Sequence, residues 1–131
     1  MENQGFLMHG FSDEKLENDL VEIVYETENM GVYFFVLDLI ANEECAELHS
    51  IAFSLLCNVF NCIEGAYYLA YNHMKRAVEM DKDNYEYKEG LLLFYHVPEK
   101  ILDKNEAMKI ANEILLIALE NPVANAILNE K

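Results

Sequence analysis

Apolar residues recur along this chain at helical spacing. Leu16, Leu20, Ile23 and Thr27 fall on one face at 3.6-residue spacing, with Val24 at its margin. Ser12 stands where an N-cap belongs, and Asp13 and Glu14 follow in the first turn, where the helix dipole favours negative charge. The pattern predicts a first helix over 13–28. Asn29 is placed to cap a second, running to about Ala41. That stretch is apolar nearly all round, with Val32, Tyr33, Phe34, Phe35, Val36, Leu37, Leu39 and Ile40, which predicts a central position. Asn42 is placed to cap a third, with Glu43 and Glu44 in its first turn and Leu48, Ala52, Leu55, Leu56, Val59 and Phe60 beyond.

Gly65 breaks the pattern, and a fourth helix is expected over 66–80. Asp83-Asn84-Tyr85-Glu86 has the form of a capping box and opens a fifth, which Pro98 ends. Asp103-Lys104-Asn105-Glu106 is a second capping box and opens a sixth. Asn121-Pro122 sets an N-cap before a proline at the first helical position and opens a short last helix. No segment alternates as a strand does. The expected fold is all-α, with about seven helices in antiparallel hairpins joined by short connections. One domain over 1–131 suits the length, and 1–11 is expected to pack loosely.

Composition supports a packed core. Hydrophobic residues make up 53% of the chain, above the usual level of about 45–50%, and eight Tyr and seven Phe argue against a disordered acidic tail. Three Cys (Cys45, Cys57 and Cys62) form no CxxC pair and read as reduced thiols, so no disulfide is expected. The start, Met-Glu-Asn-Gln, lacks the basic region of a signal peptide. The run from Gly31 to Ala41, interrupted by Asp38, falls short of the roughly 20 residues that span a bilayer. The expected location is the cytoplasm.

Charge changes the picture most. Residues 1–65 hold thirteen of the 24 acids and only one of the nine bases, Lys15, a formal charge of −12 out of −15. Such a field repels nucleic acid and anionic membrane and attracts basic proteins. Neither nucleic acid nor membrane is therefore expected as a partner.

The segment from Gly65 also carries an internal pattern. Gly65, Tyr67, Ala70, Met74, Ala77 and the turn Asp81–Asn84 match the second half of a tetratricopeptide repeat. There a glycine permits the tight turn inside a hairpin, and small residues seven apart let helices approach closely around a larger one. Leu91, Tyr95, Ala107 and Ala111 repeat the pattern more weakly. Lys82 replaces the usual turn proline and Lys88 the tryptophan. The match covers about 55–120.

The stretch from Glu64 through Asn84, Lys88-Glu89-Gly90-Leu91-Leu92-Leu93-Phe94-Tyr95 and Val97-Pro98-Glu99-Lys100-Ile101-Leu102 resembles small helical bacterial immunity proteins. These are encoded beside secreted or contact-delivered toxins. The resemblance implies a protein that neutralises a cognate toxin, with no catalytic motif carried over.

No residue pattern points to catalysis. His9, His49, His73 and His96 are scattered, with no HExxH and no hydrolase order. Cys45 and His49, four apart, would share a helix face as two metal ligands do, but two ligands make no site, and neither metal nor cofactor is expected. The chain is expected to be a binding protein. Its lead candidates for partner contact are Glu14 and Glu17 on one flank of the first helix and Asp19, Glu22 and Glu26 on the other. Glu43, Glu44 and Glu47 form a second acidic patch, and Tyr68 and Tyr71 an aromatic one suited to an interface. The partner implied is a basic toxin domain, such as a nuclease, whose active site an acidic surface would occlude. The competing reading is a tetratricopeptide-like adaptor or peptide-binding regulator.

Overall fold

A computed structural model describes residues 18–19 and 30–130. Among the described residues there are six helices, against the seven expected of the whole chain, and no strand, so the all-α expectation stands for them. They are α1 (Gly31–Asn42), α2 (Ala46–Asn58), α3 (Ala66–Met80), α4 (Tyr85–His96), α5 (Lys104–Ile117) and α6 (Pro122–Leu128). The expected helix over 13–28 lies outside the described residues except for Asn18 and Asp19, which are helical and exposed. Each helix packs chiefly on its neighbours in sequence, and α2 against α3 is the most extensive pairing.

The caps divide into those met and those displaced. Asp103 Oδ1 accepts from the Glu106 N–H at 2.8 Å, and Asn121 Oδ1 accepts from the Ala124 N–H at 2.9 Å ahead of Pro122. At α4 the cap is Asn84 rather than Asp83: its side chain accepts from the Glu86 N–H at 3.0 Å. Asn42 does not cap α2. It ends α1, where its side-chain amide donates to the Asp38 carbonyl at 3.0 Å, and the extended residue before α2 is Cys45. Glu43 and Glu44 therefore lie in the connection, and only Glu47 enters the first turn of α2. Met30 holds the N-cap position of α1; Asn29 lies outside the described residues.

The core runs through all six helices. Leu48, Ile51, Ala52, Leu55 and Leu56 of α2 meet Ala66, Ala70, Met74 and Ala77 of α3. Phe94 of α4 is fully buried, its ring 5.8 Å from Phe53 of α2 and 5.3 Å from Tyr71 of α3, both edge-on. Two glycines are needed where they stand. Gly65, at φ +84°, makes the left-handed turn into α3, and Gly90 lets α4 approach α3 so closely that a Cβ there would lie 3.0 Å from Met74 Cε. The expected central position of α1 does not hold. Its Tyr33, Val36 and Leu39 are buried, but Phe34 is 59% exposed and Phe35 39%. A continuous apolar run cannot reveal which side lacks a neighbour.

Candidate functional site

Where α1, α2 and α3 meet lies a chain of hydrogen bonds. Tyr33 projects from the buried face of α1. His49 is in the first turn of α2, beside Leu48 and a turn before Ala52, so the face that buries those residues buries it too. His73 lies between Ala70 and Ala77 on the packed side of α3. The Tyr33 hydroxyl is 3.0 Å from His73 Nε2, and His73 Nδ1 is 2.9 Å from His49 Nδ1. His49 Nε2 is 2.6 Å from Glu44 Oε2. Arg76 of α3 closes the outer end, its Nε at 2.9 Å and a terminal nitrogen at 3.1 Å from the two Glu44 oxygens, and Glu79 accepts from its other terminal nitrogen at 3.3 Å.

The chain has a direction. Hydrogen bonds from Arg76, then from His49, hold the Glu44 carboxyl down at about 2, so it is an acceptor only. His49 Nε2 must donate to it. With one proton on each ring, His49 Nδ1 then accepts, His73 Nδ1 donates to it, and His73 Nε2 accepts from the Tyr33 hydroxyl. Burial, and secondarily the neighbouring His49, pushes His73 down to about 4, which favours this one-proton ring. Burial likewise raises Tyr33 above its ordinary value. Every gap holds one proton, and no buried side-chain polar atom among the described residues is left without a partner.

The arrangement can hold and pass protons, but Tyr33 is only 5% exposed, so its hydroxyl is closed to a substrate. Nor does His49 offer a nitrogen to a metal beside Cys45, because both are engaged within the chain. Among the described residues no group of three or more His, Cys, Asp or Glu could hold a metal ion.

Of the residues expected to contact a partner, Glu44 is exposed but its carboxylate is paired with Arg76 and His49. Glu43 is exposed and Glu47 half-buried. Asp19 is exposed; Glu14, Glu17, Glu22 and Glu26 lie outside the described residues. The two tyrosines part company: Tyr68 is 52% exposed, whereas Tyr71 packs against Phe94, with Lys75 Nζ 5.9 Å from its ring centre.

The sequence-based reading missed Tyr33, His49, His73 and Arg76 as a unit. One signal was there: both histidines fall among the small and apolar positions of a helix face, where a polar ring needs a buried partner. The far end of the molecule carries a different feature, an apolar groove of about 490 Å³ between α4 and α6. Leu92, Leu93, Val123 and Ile127 line it, with Glu89 and His96 at its polar edge. No helix among the described residues is long and apolar enough to cross a membrane. Comparison with protein-family models, with curated proteins and with solved structures finds no match.

Proposed function

We propose that this chain is an acidic protein-binding module of the immunity type. It acts in the cytoplasm by binding a basic toxin domain and occluding its active site. The observation that carries this reading is the partition of charge along the chain. From Met30 to Gly65 there are five acids, Asp38, Glu43, Glu44, Glu47 and Glu64, and no Lys or Arg, and the preceding residues add eight acids against Lys15. All eight other bases lie beyond Gly65. An acidic excess of this kind steers a basic partner and competes with phosphate for its cleft. The resemblance to immunity proteins encoded beside contact-delivered toxins, as in contact-dependent growth inhibition, supplies the class of partner.

The packing we propose is tetratricopeptide-like. In its favour, Ala70 and Ala77 are fully buried around Met74, Ala107 and Ala111 are fully buried on α5, and Gly65 makes the turn inside the first hairpin. Leu91 is buried and Tyr95 half-buried, as the weaker second unit requires. Lys88, in the tryptophan position, keeps its stem packed, with only 13% of the side chain exposed, and its amine 3.7 Å from Glu113 of α5. The alternative, an adaptor without a toxin partner, draws on the apolar groove between α4 and α6, which has the shape of a site for a peptide side chain.

Co-expression with the product of the adjacent gene tests the proposal. A stable complex with a basic toxin domain whose activity is lost in the complex is the expected result. A complex that leaves the toxin active, or binding that depends on Leu93 and Val123 in the groove and not on the acids, would favour the adaptor.

A further inference from the structure

We propose that the Tyr33–His73–His49–Glu44 chain is an acid-opened latch that ties α1 to the α2–α3 pair. The argument begins with its protons. In the order derived above, three gaps hold three protons and all point towards Glu44. One added proton on the His49–His73 pair can be carried only by reversing part of that order. His49 then donates through both nitrogens, His73 accepts at Nδ1, and His73 Nε2 donates to the Tyr33 oxygen. The Tyr33 proton must leave its bond and find another acceptor at a site 5% exposed. A second added proton has no place. It would set two N–H groups and two positive charges against each other across the 2.9 Å between the Nδ1 atoms. The bond that joins α2 to α3 at this point becomes a repulsion.

The groups that face the pair set where this happens. Tyr33 comes from α1, Glu44 from the connection between α1 and α2, and Arg76 from α3 by way of Glu44, with Glu79 behind it. Glu47, on the turn that carries His49, interacts with the Cys45 thiol. Glu44 is already engaged with Arg76, so it offers the imidazole pair less than one full compensating charge. His73, desolvated, resists protonation down to about 4. The latch is closed at neutral pH and opens as the pair takes up protons in acid.

What opens is α1. Among the described residues it packs chiefly on α2, through Tyr33, Val36 and Leu39, and its Tyr33 hydroxyl hydrogen-bonds to His73 of α3. Reversing that bond leaves the Tyr33 proton without its acceptor, and with the two rings beneath it repelling, this loosens a helix that already presents Phe34 and Phe35 to solvent. Local opening of this kind belongs to the weakly held end of a fold.

Two measurements on the full chain test the latch. In the wild type near neutral pH, imidazole nitrogen shifts by NMR should report opposite neutral tautomers, Nδ1–H on His73 and Nε2–H on His49. On acidification His73 should leave its neutral Nδ1–H form. The same tautomer on both rings, or a His73 ring still in that form well below about 4, would overturn the proposal. Hydrogen exchange, corrected for the intrinsic pH dependence, should be at least tenfold faster in α1 at about pH 4.5 than at about pH 7.5, with little change in α5. The double variant His49→Leu/His73→Leu should remove that difference, and uniform loosening of all six helices in the wild type would contradict it.

Discussion

At the scale of single residues, the ionisable groups of the hydrogen-bonded chain make stability depend on pH, and the sign follows from their shifts. His73 is a base held at about 4 in the fold against 6.5 in a free side chain, so the unfolded chain takes up its proton first. Its contribution is complete above about 6.5 and fades as pH falls towards 4. Glu44, held at about 2 against 4.5, contributes fully above 4.5 and loses that contribution as pH falls towards 2. The urea midpoint should therefore decline in two stages on acidification. His73→Leu should blunt the upper stage and Arg76→Gln the lower. A midpoint flat from neutrality to pH 4 would contradict the reading of His73. The thiols offer a separate check. Burial pushes Cys57 up to about 12 and raises Cys45, whereas Cys62 is exposed. One cysteine, Cys62, should react rapidly with an alkylating reagent at mild alkaline pH, and Cys62→Ser should abolish that phase.

At the scale of helices, small residues set the spacing. Ala70 and Ala77 are fully buried where α3 meets its neighbours, so Ala70→Leu or Ala77→Leu should each destabilise by about 1–3 kcal/mol through overpacking. Gly65→Ala should cost about 1–2 kcal/mol for a different reason. Nothing lies within 4 Å of the added Cβ, so the backbone at φ +84° bears the whole effect. Thermal unfolding of the three variants checks both, and unchanged melting for the two leucine variants would remove the close helix contact. α3 and the last two helices were legible because their signals are local: Gly65 before Ala66, Asp103 three residues before Glu106, Asn121 before Pro122. The start of α2 was not, because Asn42 is equally suited to ending one helix and capping the next, and only the tertiary path decides. The hydrogen-bonded chain was illegible for a related reason. His49 and His73 are 24 positions apart, and Tyr33 is 40 from its partner, so no spacing rule connects them.

At the scale of the molecule, the apolar groove and all the bases but Lys15 lie beyond Gly65, while the α1–α2 segment carries acids beside the exposed Phe34 and Phe35. That segment has no base from Met30 to Gly65, while the α4–α6 groove and the exposed Leu116 and Leu119 belong to the nearly neutral segment. The immunity reading assigns recognition to the first segment and the adaptor reading to the second. Electrostatic steering separates them because it acts on the association rate and is screened by salt, with a Debye length of about 8–10 Å near physiological ionic strength. The decisive measurement is the association rate with the basic toxin domain that the immunity reading requires, at about 20 mM and about 150 mM salt, for the wild type and for Glu22→Lys/Glu26→Lys. The account predicts a rate that falls at least tenfold with salt in the wild type, and a folded double variant that associates slowly at both concentrations. An association rate insensitive to salt, with full inhibition of the toxin by the double variant, would contradict it.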